Sequence, residues 1–290
     1  TLDSLKDRRR KSEKEDEKEN KDIVIPDWKR LTEEELEDKP AIIFSVEDAN
    51  NNIVRYIEGA TEAGFNRATW DLRYPVVNPW IPSEQRNTNG GSLGVLVAPG
   101  TFQVSMHKRI DGKLIDLNLK EFFEVVSIRT PTLPGSSQHQ RVVFSQQVNE
   151  MRRAAEGTIK VVDNIIEELE SIKEILSFST ADMSLYEKAN SLKKKIQLEY
   201  YRLSGNRTKN SLGVLEPLSV KSRLSYASYN PSRNAYGPTK TERNSLIIAN
   251  ELYNEISAHL TFLIDQEYEN LKKSLDEAHV PWSPGRSIQK

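Results

Sequence analysis

Residues 129–137 read RTPTLPGSS, and this stretch decides the fold because the hydrophobic period changes across it. Proline lacks the backbone N–H that a helix interior or a central strand needs, so two prolines followed by Gly-Ser-Ser end whatever precedes them. On the N-terminal side apolar residues alternate with polar ones, and on the C-terminal side they recur in steps of three and four. The chain reads as α+β and multidomain: an immunoglobulin- or fibronectin-like β-sandwich over 41–130, then an antiparallel three-helix bundle over 136–280.

Moving back toward the N-terminus, EFFEVVSI (121–128), KLIDLNL (113–119), GVLVAPGTFQVSMHKR (94–109), RATWDLRYP (67–75), IVRYIEG (53–59) and AIIFSVED (41–48) all read as short strands. Asp111-Gly112 and the Asn-rich stretch at 49–52 supply hairpin turns. Alternation along RATWDLRY puts Ala68, Trp70 and Leu72 on one face, so Trp70 fills the core, with Arg67, Asp71 and Arg73 opposite. A ligand site on Asp71 and Arg73 is the alternative. Asp48, Asn50 and Asn52 alternate as calcium loops do, but Gly59 stands where an EF-hand carries its last glutamate, so a turn is the better reading.

Toward the C-terminus, Phe144, Val148, Met151, Ala155, Val162, Ile165, Leu169, Ile172 and Leu176 form the stripe of one long helix, with Thr158 filling the gap. A second stripe runs through Leu185, Ala189, Leu192, Ile196, Tyr200 and Leu203 to Gly205. A third starts with Thr239 and Glu242 in capping-box spacing and continues through Leu246, Ala249, Tyr253, Ile256, Leu260, Leu263, Leu271 and Leu275. The connection over 205–240 is long for a bundle and holds a short helix, PLSVKSRLSYAS, before a turn-rich end. Its Tyr226, Tyr229, Arg233 and Tyr236 are candidate partner contacts, with packing against the helices as the bland alternative. Residues 281–290 form a tail.

Ahead of the strands, residues 1–22 mix both charge signs with almost no apolar side chains and read as a linker or exposed helix. Residues 23–40 read as a docking helix capped by Thr32 and Glu35, with Trp28 as its anchor and another candidate partner contact. The first residue is threonine, which suggests a processed product or the tail of a longer polypeptide.

Among 290 residues there is no cysteine and the net charge is -2. Thiolate chemistry is excluded, and the near-neutral balance argues against a phosphate-backbone partner. No apolar run reaches the roughly 20 residues of a membrane span. Walker, GxGxxG, His-Glu-x-x-His and Gly-x-Ser-x-Gly signatures are absent, and no two of His107, His139, His259 and His279 stand at metal-ligand spacing. The sequence therefore assigns no catalytic, cofactor or metal residue. Asn206 opens an Asn-Arg-Thr glycosylation sequon, which matters only in a eukaryotic secretory setting.

The succession IPDWKRLTEEELEDKPAIIFSVEDANNNIVRYIEG, GFNRATWDLRYP, LVAPGTFQVSMHKRIDGKL and AHVPWSPGR resembles the C-terminal region of large secreted bacterial proteins with sortilin-like or Asp-box β-propellers. They are common in Bacteroidetes and often labelled glycosyl hydrolases. The likeness spans about Asp22 to Arg286, with WDLRYP and PWSPGR its most specific pair. The Asp-box itself does not occur in these residues. The resemblance implies an extracellular, periplasmic or outer-membrane-associated setting and a non-catalytic accessory role beside the propellers or another envelope protein. Two alternatives are carried. One is an enzyme lobe in which Asp71, Asp116 or Arg233 completes a glycan- or peptide-cleaving site of the propellers. The other is a carbohydrate-binding sandwich presenting Trp80.

Overall fold

The computed structural model describes residues 4–23, 25–77, 94–128, 135–229 and 236–287. The protein is mixed α and β, with a four-stranded antiparallel sheet and a set of helices. It divides into two compact units, residues 1–76 with 93–130 and residues 77–92 with 131–290.

The first unit begins with α1 (Leu5–Lys18), capped by Ser4 and burying no residue, as its composition requires. Next, α2 (Trp28–Leu36) is capped by Asp27, whose side chain accepts from the Arg30 N–H at 2.9 Å. The expected Thr32–Glu35 box is not used. Aspartate is a strong cap one turn earlier, so Thr32 falls inside the helix and donates to the Trp28 carbonyl. Arg9 of α1 bonds Glu34 of α2.

The sheet comprises β1 (Ala41–Asp48), β2 (Ile53–Gly59), β3 (Gly100–Ile110) and β4 (Lys113–Val125) in the order β2-β1-β3-β4. Asp48 closes the first hairpin by accepting from the Asn50 and Asn52 N–H groups, with Asn51 at φ 60. The alternating Asp and Asn residues thus build a turn. Those hydrogen bonds outweigh the effect of partial burial and hold the Asp48 carboxyl below its usual range. Asp111 and Gly112, both at positive φ, make the second hairpin.

Three strand expectations change. KLIDLNL and EFFEVVSI merge into the single strand β4, because a bulge beside Met106 and His107 absorbs Leu117 and Asn118 without ending the ladder. GVLVAPG enters the ladder only at Gly100, since Pro99 has no N–H to donate. RATWDLRY is not a strand: it is irregular, with one bridge from Arg73 to Leu96. Asp71 accepts from the Arg73 N–H at 3.2 Å, and Leu72 sits at φ 57. That left-handed residue breaks the alternation and leaves Ala68 and Leu72 exposed.

Trp70 still packs inward, at 5.4 Å from the Phe102 ring and 6.0 Å from Phe123, both edge-on. With Val46, Val54, Val97, Phe102, Ile57 and Tyr74 it forms the unit's core on one face of the sheet. Among the described residues that face is covered by the irregular segments around 70–77 and 94–97, and no second sheet is present.

The second unit holds α3 (Gln138–Ser177), α4 (Ser184–Ser204), α5 (Arg207–Ser211), α6 (Val220–Tyr229), α7 (Lys240–Phe262) and α8 (Glu269–Glu277), with a π-helical turn (Leu263–Tyr268) joining the last two. Both N-termini that matter carry capping boxes, Ser137 with Gln140 and Thr239 with Glu242. The stripe of α3 is buried as expected except at the half-buried Met151, and its gap is filled by the buried Ile159, with the half-buried Thr158 at 2.9 Å from the Tyr253 hydroxyl. Leu169, Val162, Ile196, Leu203, Ile256 and Leu275 are fully enclosed. Each such side chain contributes about 1.5–3 kcal/mol of transfer free energy.

The 205–240 connection belongs to this core. Val220 and Leu224 of α6 join the cluster formed by α3, α4 and α7, so α6 packs as a further helix beside the expected three. Residues 281–287 are likewise folded back, not a loose tail. The Arg286 guanidinium, whose side chain is 1% exposed, bonds Asp276 and the Val280 and Pro281 carbonyls.

Candidate functional site

Helix α6 has two distinct sides. Val220, Leu224 and Ala227 recur at helical spacing and are buried, which fixes the helix by hydrophobic contact. Ser245 of α7 donates to the Arg223 carbonyl at 3.0 Å and fixes its height. On the outer side Tyr226 and Tyr229 are half exposed, and Tyr236 is half exposed too. The Tyr236 carbonyl accepts from the Ser136 N–H at 2.9 Å, which ties it to the start of α3. Three of the expected contact residues are therefore presented on a rigid scaffold. Arg233 and Trp80 lie outside the described residues. Trp28, 85% exposed at the start of α2, belongs to the other unit and anchors nothing among the described residues.

Of the residues proposed for a cleavage site, the two described ones, Asp71 and Asp116, are not brought together. Asp71 closes its own turn, and Arg73 is committed to the Gly94 carbonyl at 2.8 Å, which explains both without a ligand. Asp116 projects from the opposite face of the sheet, where its carboxylate accepts from the Asn118 N–H.

That face carries a constellation that sequence reasoning passed over. Ser45 Oγ lies 2.9 Å from His107 Nε2, and His107 Nδ1 is 3.8 Å from Asp116 Oδ1. Glu47 accepts from Ser45 at 3.0 Å and from Gln103 at 3.3 Å, while Gln103 also reaches Ser105. The order of Ser, His and Asp invites comparison with a hydrolytic triad, but the backbone around Ser45 opposes it. Ser45 Oγ lies within hydrogen-bond distance of both Glu47 and His107 and has one proton to give, so the two contacts share a single hydroxyl donor. Ser45 also sits mid-strand between two partners, so its backbone is held in the ladder, with no turn to offer oxyanion donors. The cluster is a hydrogen-bonded polar layer. Its signal was present as polar alternation within apolar strands: Ser45 and Glu47 on β1, then Gln103, Ser105 and His107 on β3.

Two smaller networks lie in the helical unit. The buried Glu199 binds His259 Nδ1 and Arg202, each at 2.9 Å, and Arg202 reaches Glu255 at 2.7 Å. Tyr268 donates to Glu168 at 2.5 Å. Among the described residues no cluster of three or more His, Asp or Glu side chains could hold a metal ion, and no helix is long and apolar enough to cross a membrane. Set against known protein families, curated proteins and solved structures, the chain matches none.

Proposed function

We propose that this chain is a non-catalytic accessory region of a secreted or cell-envelope bacterial β-propeller protein, bracing the propellers or docking them to another envelope protein. The observation that carries the reading is the outer side of α6, where Tyr226 and Tyr229 stand half exposed on a helix whose inner side is locked into a core, with Tyr236 half exposed as well. Tyrosines are favoured anchors at interfaces because they bury large amphipathic area at small cost in side-chain entropy, and a rigid support lowers that cost further. The same reading takes the sheet as one half of an immunoglobulin-like sandwich and the helices as a three-helix bundle with α6 added. The Trp70 cluster, the buried stripes of α3, α4 and α7 and the capping boxes of α3 and α7 support it.

The test is a binding measurement between the chain and the propeller domains of its parent. Changing Tyr226, Tyr229 and Tyr236 to alanine together should weaken association at least tenfold, since one interface anchor is worth about 2 kcal/mol. Unchanged affinity in the triple variant would refute the reading.

A further inference from the structure

We propose that two copies of this chain associate edge to edge through β4, in antiparallel pairing centred on Phe122. The inference concerns a surface separate from the tyrosines and stands whether or not the accessory reading holds. β4 is the outermost strand in the order β2-β1-β3-β4, and no strand among the described residues pairs with its outer edge. Such an edge offers a row of backbone donors and acceptors to another chain. At about 3.3 Å per residue, its 13 residues extend about 43 Å.

The bulge divides this edge. Asn118 stands there at φ 55 and spoils the ladder, so the usable part is Leu119–Val125, which pairs regularly with Met106–Gly100 of β3. Within it Lys120, Phe122 and Glu124 project to one face and Leu119, Glu121, Phe123 and Val125 to the other. Phe122 is 71% exposed and Leu119 58%, unusual for such side chains on a structured strand.

Charge selects the occupant and the register. A two-fold axis at Phe122 sets Lys120 opposite the second copy's Glu124, and Glu124 opposite its Lys120. Phe122 then meets Phe122, and Leu119 meets Val125. Centring the axis on Lys120 or Glu121 places like charges against each other, which is unfavourable. An axis at Asn118 falls on the bulge. Charged residues usually keep sheet edges apart, but the run Lys-x-Phe-x-Glu is self-complementary when reversed, so here the same residues favour a second copy of the chain.

Sedimentation equilibrium of the 290-residue chain tests this. The mean mass should rise from 33.1 kDa toward twice that value as concentration increases. Lys120→Glu alone and Glu124→Lys alone each place like charges face to face, and each should raise the dimer dissociation constant at least tenfold. Mixed in equal amounts, the two variants should associate again, because every cross-strand pair is then opposite in sign; that recovery also shows both variants to be folded. A monomer at all concentrations, a dimer indifferent to the single substitutions, or a mixture that stays monomeric would each overturn the proposal.

Discussion

Ser45 Oγ and His107 Nε2 meet at 2.9 Å across 62 residues of sequence, on the face of the sheet that Trp70 does not cover. Because Ser45 sits mid-strand, paired on both sides, with no turn to offer oxyanion donors, a serine-directed fluorophosphonate should leave it unlabelled. Ser45→Ala should instead lower stability by about 1 kcal/mol, the cost of leaving its half-buried partners Glu47 and His107 short of a hydrogen bond. Stoichiometric labelling of Ser45 in the folded protein would contradict this.

A second prediction concerns alkaline pH. Burial, reinforced by the hydrogen bond to Glu168, pushes the Tyr268 hydroxyl well above its ordinary value of 10.0. Above pH 10 the unfolded chain releases this proton and the folded chain retains it, so the contribution is fully present below about pH 10 and is lost as pH rises beyond it. Stability measured by urea unfolding should fall with pH in that range, and Tyr268→Phe should flatten part of the slope. An identical slope in the variant would refute the assignment.

The folded-back C-terminal segment makes a third. Arg286 is enclosed, with its charge met by Asp276 and its other donors by main-chain carbonyls. Arg286→Ala should cost roughly 1.5–3 kcal/mol in unfolding free energy, because the enclosed guanidinium's hydrogen bonds to the Val280 and Pro281 carbonyls and to the half-exposed Asp276 are lost. A loss within about 0.5 kcal/mol, the range of ordinary surface changes, would mean that the segment is not fixed as described.

The fourth concerns the turn that broke the expected strand. Leu72 holds φ 57, a conformation costing a residue with a Cβ roughly 1–2 kcal/mol, while asparagine tolerates it better. Leu72→Asn should therefore be neutral or stabilise by about 0.5–1 kcal/mol, read from chemical denaturation. A clear loss would show that Leu72 packs more than its exposure indicates.

The helical half was legible in sequence because long stripes and reciprocal caps are local: Thr239 with Glu242 is set by three-residue spacing, and the box of Ser137 with Gln140, equally local, was passed over. The sheet was legible where hairpin turns are short, at Asp48–Asn52 and at Asp111-Gly112. It was not legible around Trp70, where one residue at positive φ overrides a two-residue period. The bulge in β4 was also hidden, because its cause is pairing with β3 and not any local signal. Trp70 was placed in the core correctly even so, since its bulk and the apolar Phe102 and Phe123 decide the contact whichever backbone brings it there. Of the candidate contacts, the tyrosines at 226, 229 and 236 could be picked from composition. Their half exposure depends on which side of α6 the core takes, and that was settled by Val220, Leu224 and Ala227. The Ser45–His107 pair joins residues 62 apart, which only the register of β1 against β3 brings together.

The most direct test of the accessory reading places a photo-crosslinking phenylalanine analogue at Tyr229 in the native host and identifies the adducts by mass spectrometry. The account predicts adducts to a propeller domain of the parent protein or to another envelope protein, abolished when Tyr226 and Tyr236 are changed to alanine. A chain that yields no adduct, or the same adducts with those tyrosines removed, would contradict it.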